Sequence, residues 1–147
     1  MYEIKVVTEA DRKWAIDVAA KAMIKKEANR ADLYNPQQLH LVFNKIVADE
    51  TALLAWKDGK RVGCVAGVLT PHFLDPRKKI LFEAVWYVDP EHRKTRATYL
   101  LMKEYRELCL RVADEGIFTI MGHTDIKDES LAKMGWKLQE KHYNLRK

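Results

Sequence analysis

One α/β domain, with a mixed and mostly antiparallel sheet covered by helices on both faces, is the fold the 147-residue sequence predicts. Three observations predict it. Segments whose apolar residues recur at every second position alternate with segments whose apolar residues recur every three or four. A hairpin signal sits mid-chain, with Asp58 and Gly59 between two period-two runs. The run "KKILFEAVWYV", 78–88, is apolar on both faces, as a strand buried between two layers must be.

The elements follow in order. "EIKVVT" alternates and is rich in β-formers, which predicts a strand over 3–8. Thr8 or Asp11 can cap the helix that follows, whose apolar side carries Trp14, Ala15, Val18, Ala19, Ala22 and Met23. Its pattern fades over 29–32. A second helix restarts with Asn35 as cap, Pro36 at its first position and Gln38 three residues after the cap. Leu39, Val42, Phe43 and Ile46 form its buried stripe. Strands are predicted over 51–57, 61–70 and 78–88, then a helix over 93–114 with Ala97, Leu101, Tyr105, Leu108 and Val112 on one face. "GIFTIMG" predicts a short strand between Gly116 and Gly122. A short helix stops at Gly135, and 136–147 predict a last strand or bent pair. The central β-α-β run implies one parallel, right-handed crossover. Residues 1–147 therefore read as a single domain, and four prolines and six glycines leave little for a linker.

Composition narrows the function classes. The net charge of +5 suits an anionic ligand, but the bases alternate with acids instead of forming the stripe of a nucleic-acid binder. The basic clusters at 77–79 and 93–96 are what such a binder would use, yet no base-reading motif accompanies them. No apolar run approaches the roughly eighteen residues of a membrane span, and the first twenty residues lack a leader's apolar core. Cys64 and Cys109 sit far apart in apolar surroundings, as buried thiols in a reducing, cytoplasmic setting would. Five histidines and two cysteines show no zinc-ligand spacing, so no metal site is expected. No nucleophile elbow or Walker loop is present.

The stretch "YVDPEHRKTRAT", 87–98, carries the chemistry. It passes from the end of a central strand into the long helix. A helix N-terminus there exposes unpaired N–H groups and positive dipole charge, which together hold anions. Arg93, Lys94 and Arg96 add charge, and His92 adds more when protonated. Such clusters are as often ordinary solvent-facing helix starts, and local physics alone does not choose between the two readings.

The element order and this stretch resemble the GNAT superfamily, the GCN5-related N-acetyltransferases, over nearly the whole chain. The family places Val-x-Pro-x-x-Arg at the end of its fourth strand, matched by Val88, Pro90 and Arg93. Gly135 and Trp136 resemble its Gly-aromatic turn. The resemblance implies that Trp86, Tyr87, Val88, Arg93, Lys94, Thr95, Arg96, Ala97 and Thr98 hold acetyl-CoA, the cosubstrate, with backbone amides cradling the pyrophosphate. Two departures stand out: Arg96 and Thr98 replace residues that are small in the family. Arg96 either clamps phosphate with a charged hydrogen bond or obstructs the cradle with its stem.

The implied reaction is direct attack of a primary amine on the thioester, with N–H groups near 86–88 polarising the carbonyl. The amine must lose a proton. Glu83, the only acid inside the long strand, is the candidate base; the alternative is a structural carboxylate. Asp125 and Asp128 are weaker candidates that also suit helix capping. The family's tyrosine acid falls at Leu131, so Tyr143, or else Tyr87, is the acid candidate. Trp14, Trp56, Trp86 and Trp136 read as core. Arg30, Tyr34, Met23 and Phe73 are the candidates for lining the acceptor entrance. A small-molecule or peptide amine is the expected partner, with a homodimer left open and neither nucleic acid nor membrane expected. The alternative function is a catalytically inactive GNAT-like binding or structural protein.

Overall fold

The computed structural model describes residues 1–24, 34–119, 126–139, 143 and 145. The elements are β1 (Tyr2–Val6), α1 (Arg12–Ile24), α2 (Pro36–Asp49), β2 (Ala52–Lys57), β3 (Lys60–Pro71), β4 (Lys79–Val88), α3 (Arg96–Val112), β5 (Glu115–Ile117) and α4 (Asp128–Lys133). One sheet runs in the order β1-β2-β3-β4-β5. The first four strands pair antiparallel, and α3 crosses over so that β5 lies parallel to β4. The mixed sheet read from the sequence is the sheet observed.

Strand alternation sends Leu54, Cys64, Ala66 and Val85 to one face, where Ala15, Val18 and Ala19 of α1 and Phe43 and Ile46 of α2 cover them. Leu53, Ala55, Val65 and Leu81 point to the other, under Leu101, Tyr105 and Leu108 of α3. β2 and β3 are apolar on both faces for this reason. Among the described residues, no helix is long and apolar enough to cross a membrane.

Local signals explain most boundaries. The Asn35 side chain accepts from the Gln38 N–H at 3.0 Å, and Pro36 opens α2. Asp58 (φ 48°) and Gly59 (φ 76°) make the tight turn between β2 and β3. Of the two candidate caps before α1, Thr8 precedes a short 3-10 turn, Glu9–Asp11, while Asp11 is buried and works backwards. Its carboxylate accepts from the Thr8 N–H and hydroxyl and from the Arg61 guanidinium at 2.8–3.0 Å. Burial acts to raise its pKa, but these bonds prevail and hold it below the ordinary value.

Two expectations change. The long helix begins at Arg96, not at residue 93, because Pro90–His92 form a separate 3-10 turn and Thr95 caps α3. The Thr95 hydroxyl accepts from the Ala97 N–H at 3.2 Å and donates to the His92 carbonyl at 2.6 Å. β5 is only three residues long; 120–122 of the predicted strand, and half of 136–147, lie outside the described residues.

At Gly67, β3 and α3 approach closely. A Cβ there would sit 2.8 Å from the Leu81 side chain and 2.9 Å from the Tyr105 hydroxyl. Gly67→Ala should therefore destabilise the fold by about 1–3 kcal/mol through overpacking, read from urea denaturation midpoints.

Candidate active site at the β4–β5 gap

Among the described residues, β4 and β5 pair through Ile80, Leu81 and Phe82. Beyond Phe82, β4 runs on to Val88 without β5 beside it. The ladder also changes at this point. On the β3 side Ala66 pairs with Val85 but Gly67 with Glu83, so Ala84 is the extra residue of a β-bulge. The bulge re-aims the strand where its neighbour leaves, which opens a gap between the two.

The backbone facing that gap can be assigned. The Asp89 N–H donates to the Val62 carbonyl of β3 at 2.8 Å. Alternation then turns Tyr87 toward β3 and turns Trp86 and Val88 away from it, with their N–H groups toward the gap. The Val88 carbonyl agrees: it accepts from Arg93 Nε at 3.0 Å, on the side away from β3. Two N–H groups of one strand therefore face the gap side by side, about two residue rises apart, where each can donate to a ligand lying along β4.

Glu83 stands at the bulge. Burial pushes its pKa up to about 7, against the pull of the nearby Thr119 N–H. The chain just after β5 thus brings an N–H close to this carboxyl once the β4–β5 ladder has ended. Behind Glu83 lies an aromatic wall. Phe118 meets Trp86 edge-on at 5.4 Å and Tyr105 at 6.0 Å, and the Trp136 ring lies parallel to Tyr105 at 6.2 Å. All four tryptophans pack against the two cores as partly buried residues.

At the far end of the gap, side chains take up the carbonyls of the 88–95 turn. Arg93 takes Val88, Thr95 takes His92, and the Thr98 hydroxyl takes the Arg93 carbonyl at 2.6 Å. Tyr2 reaches from β1 to His92 Nδ1 at 2.9 Å and braces the turn from outside. With the carbonyls occupied, the turn presents N–H groups. Those of Lys94 and Arg96 meet no protein acceptor among the described residues, whereas Thr95 itself occupies that of Ala97. Lys94 and Arg96 are exposed, and the Arg96 side chain makes no hydrogen bond or ion pair with the described residues. Val88 and Ala97 are buried in the core, so they offer a ligand only backbone. Thr98 folds its hydroxyl inward onto the turn. This is an electropositive helix start with free donors, and it suits a phosphate-bearing ligand.

Other sequence candidates fall elsewhere. Tyr87 lies on the α1 side of the sheet, edge-on to Trp14 at 6.4 Å, with its hydroxyl donated to Asp89 at 2.6 Å. Burial, then Asp89, pushes its pKa up to about 12, which makes it a poor proton source. Tyr143 is 91% exposed, and Phe73 is 87% exposed on the β3–β4 hairpin. Asp128 and Leu131 lie on α4, and Asp128 stands in its first turn. Arg30, Asp125 and the side chain of Met23 lie outside the described residues. Sequence reasoning missed Thr119, which acts through its backbone and leaves no residue-type signal. It also missed Tyr105, whose place in an apolar helical stripe reads as plain core.

The sequence profile of the acetyltransferase (GNAT) family matches residues 14–135. No curated protein matches the chain. Several solved structures share the fold at low identity. A predicted acetyltransferase with acetyl-CoA from Clostridium acetobutylicum is 14% identical with a TM-score of 0.72, over 99% of this chain and 96% of that one. The glucosamine-6-phosphate N-acetyltransferase from Arabidopsis thaliana is 12% identical with a TM-score of 0.70, over 99% and 98%. AAC(6')-Iy in complex with the bisubstrate analogue CoA-S-monomethyl-acetylneamine is 12% identical with a TM-score of 0.70, over 100% and 98%.

Proposed function

This chain belongs to the acetyltransferase (GNAT) family, and from that premise we propose that it moves the acetyl group of acetyl-CoA onto a primary amine by direct attack. The observation that carries the reading is Glu83. A carboxyl with a pKa of about 7 stands at the bulge where β4 parts from β5, beside the strand's two outward N–H groups.

The roles follow from that placement. The pyrophosphate lies at the start of α3, against the N–H groups of Lys94 and Arg96 and the charges of Arg93, Lys94 and Arg96. The pantetheine arm enters the gap along β4, where it can pair with the N–H of Val88, and its thioester carbonyl oxygen accepts from the N–H of Trp86, the nearer of the two to Glu83. The amine nitrogen attacks the carbonyl carbon, and its proton passes to the Glu83 carboxylate. The carbon–sulfur bond then breaks, and the thiolate departs. A carboxyl pushed up to about 7 is poised near the working pH, which is where a base works best.

The acceptor is a small-molecule or peptide amine. Two of the structural neighbours carry names that point to amino-sugar chemistry, which makes amino sugars the first class to try. Incubation with acetyl-CoA and a panel of amino sugars, polyamines and peptides, following free thiol, should show amine-dependent CoA release. Release that is no faster with any amine than without would count against the assignment.

A further inference from the structure

Tyr105 is fully buried in α3, yet its hydroxyl reaches no hydrogen-bond partner among the described residues. A buried orphan hydroxyl is costly unless something in the working protein uses it. Its position is specific. The oxygen lies against Gly67, 2.9 Å from where a Cβ would be, and Gly67 is the cross-strand partner of Glu83. Because Gly67 has no side chain, nothing of β3 fills the space there. Glu83 and the Cys109 thiol, one helical turn on, are its polar neighbours, and a thiol is a weak partner. Trp136 closes the other side with its ring parallel to Tyr105, its own indole N–H also without a partner.

We infer that Tyr105 is a positioning residue for Glu83: when the carboxyl ionises, the Tyr105 hydroxyl donates to it, jointly with the N–H of Thr119. The inference rests on Glu83 being the base. The groups that face Glu83 are Tyr105 from α3 and the Thr119 backbone from the segment after β5, while β3 offers Gly67. Tyr105 faces Glu83 and, within α3, Cys109. Burial, then Cys109 and Glu83, pushes the pKa of Tyr105 well above its ordinary value, so the hydroxyl keeps its proton and stays a donor throughout the working range. Two donors, one from backbone and one from a rigid ring, would fix which way the carboxylate points and bring its ionisation back toward neutrality despite the burial.

The test is carbon NMR with labelled glutamate and tyrosine, Glu83 being assigned by its loss in Glu83→Gln. In the wild type the Tyr105 ζ-carbon should move with the Glu83 midpoint. In Tyr105→Phe, which keeps the ring and its packing, the Glu83 midpoint should rise by about one pH unit. The ascending limb of kcat/KM should shift to higher pH with it, while KM for acetyl-CoA should change little. A silent Tyr105 ζ-carbon together with an unmoved Glu83 midpoint in Tyr105→Phe would overturn the inference. The base assignment fails differently: Glu83→Gln would keep the ascending limb, whatever the NMR midpoints do.

Discussion

Glu83→Gln should lower kcat for acetyl transfer by about 10²–10⁴-fold at neutral pH, with a much smaller change in KM for acetyl-CoA. The amide has nearly the shape of the carboxyl but cannot take a proton from the attacking amine. The wild-type rate should rise with pH through a midpoint near 7, where Glu83 loses its proton, and this limb should vanish in the variant. An unchanged pH–rate profile would remove Glu83 as the base. Stability supplies an independent check with a definite sign. The folded pKa of about 7 lies above the ordinary value of 4.5, so the folded state holds the proton more tightly. The stability from protonated Glu83 is fully present below about pH 4.5 and is lost as pH rises through about 7. Glu83→Gln should therefore gain stability relative to the wild type as pH rises from 5 to 8, by up to about 3 kcal/mol. Urea denaturation at the two pH values reads the difference.

Arg96→Gly should weaken acetyl-CoA binding by about tenfold, and by less at high salt. The variant restores the small residue that the family motif has at this place, so the direction of the change is informative. Arg96 is exposed and leaves the N–H groups of the turn uncovered. A long, free cation beside open amides is placed to close on phosphate from outside. Tighter binding by the variant would instead mark Arg96 as an obstruction. Thr98 creates no comparable conflict, because its hydroxyl is spent on the Arg93 carbonyl inside the turn.

What could be read beforehand follows from how local each signal is. Period and turn chemistry are local, so the Asn35–Pro36 start, the Asp58–Gly59 turn and the 78–88 strand were legible, whereas its burial on both faces is only partial, with Phe82 and Ala84 exposed. Thr95 was local too, yet residues 93 and 94 fit a helical pattern equally well. The competition was decided by a hydroxyl that caps Ala97 and ties back to His92. The gap was not legible. It depends on Ala84 being extra in one ladder and on β5 ending its pairing at Ile117, and no residue type announces either. Glu83 stood out as the only acid in its strand, but its raised pKa comes from burial that only the folded chain supplies. Tyr105 shows the same limit from the other side. Its spacing said core, correctly, while the meaning of its hydroxyl depends on a glycine 38 positions earlier across the helix–sheet contact.

The central claim is that the β4–α3 turn, with arginine and threonine where the family motif has small residues, still holds acetyl-CoA. Calorimetric titration of the wild-type protein with acetyl-CoA and with CoA tests it most directly. The account predicts saturable 1:1 binding of both, weakened by salt, with a matching rise in Tm. No heat and no thermal shift at millimolar ligand would contradict it.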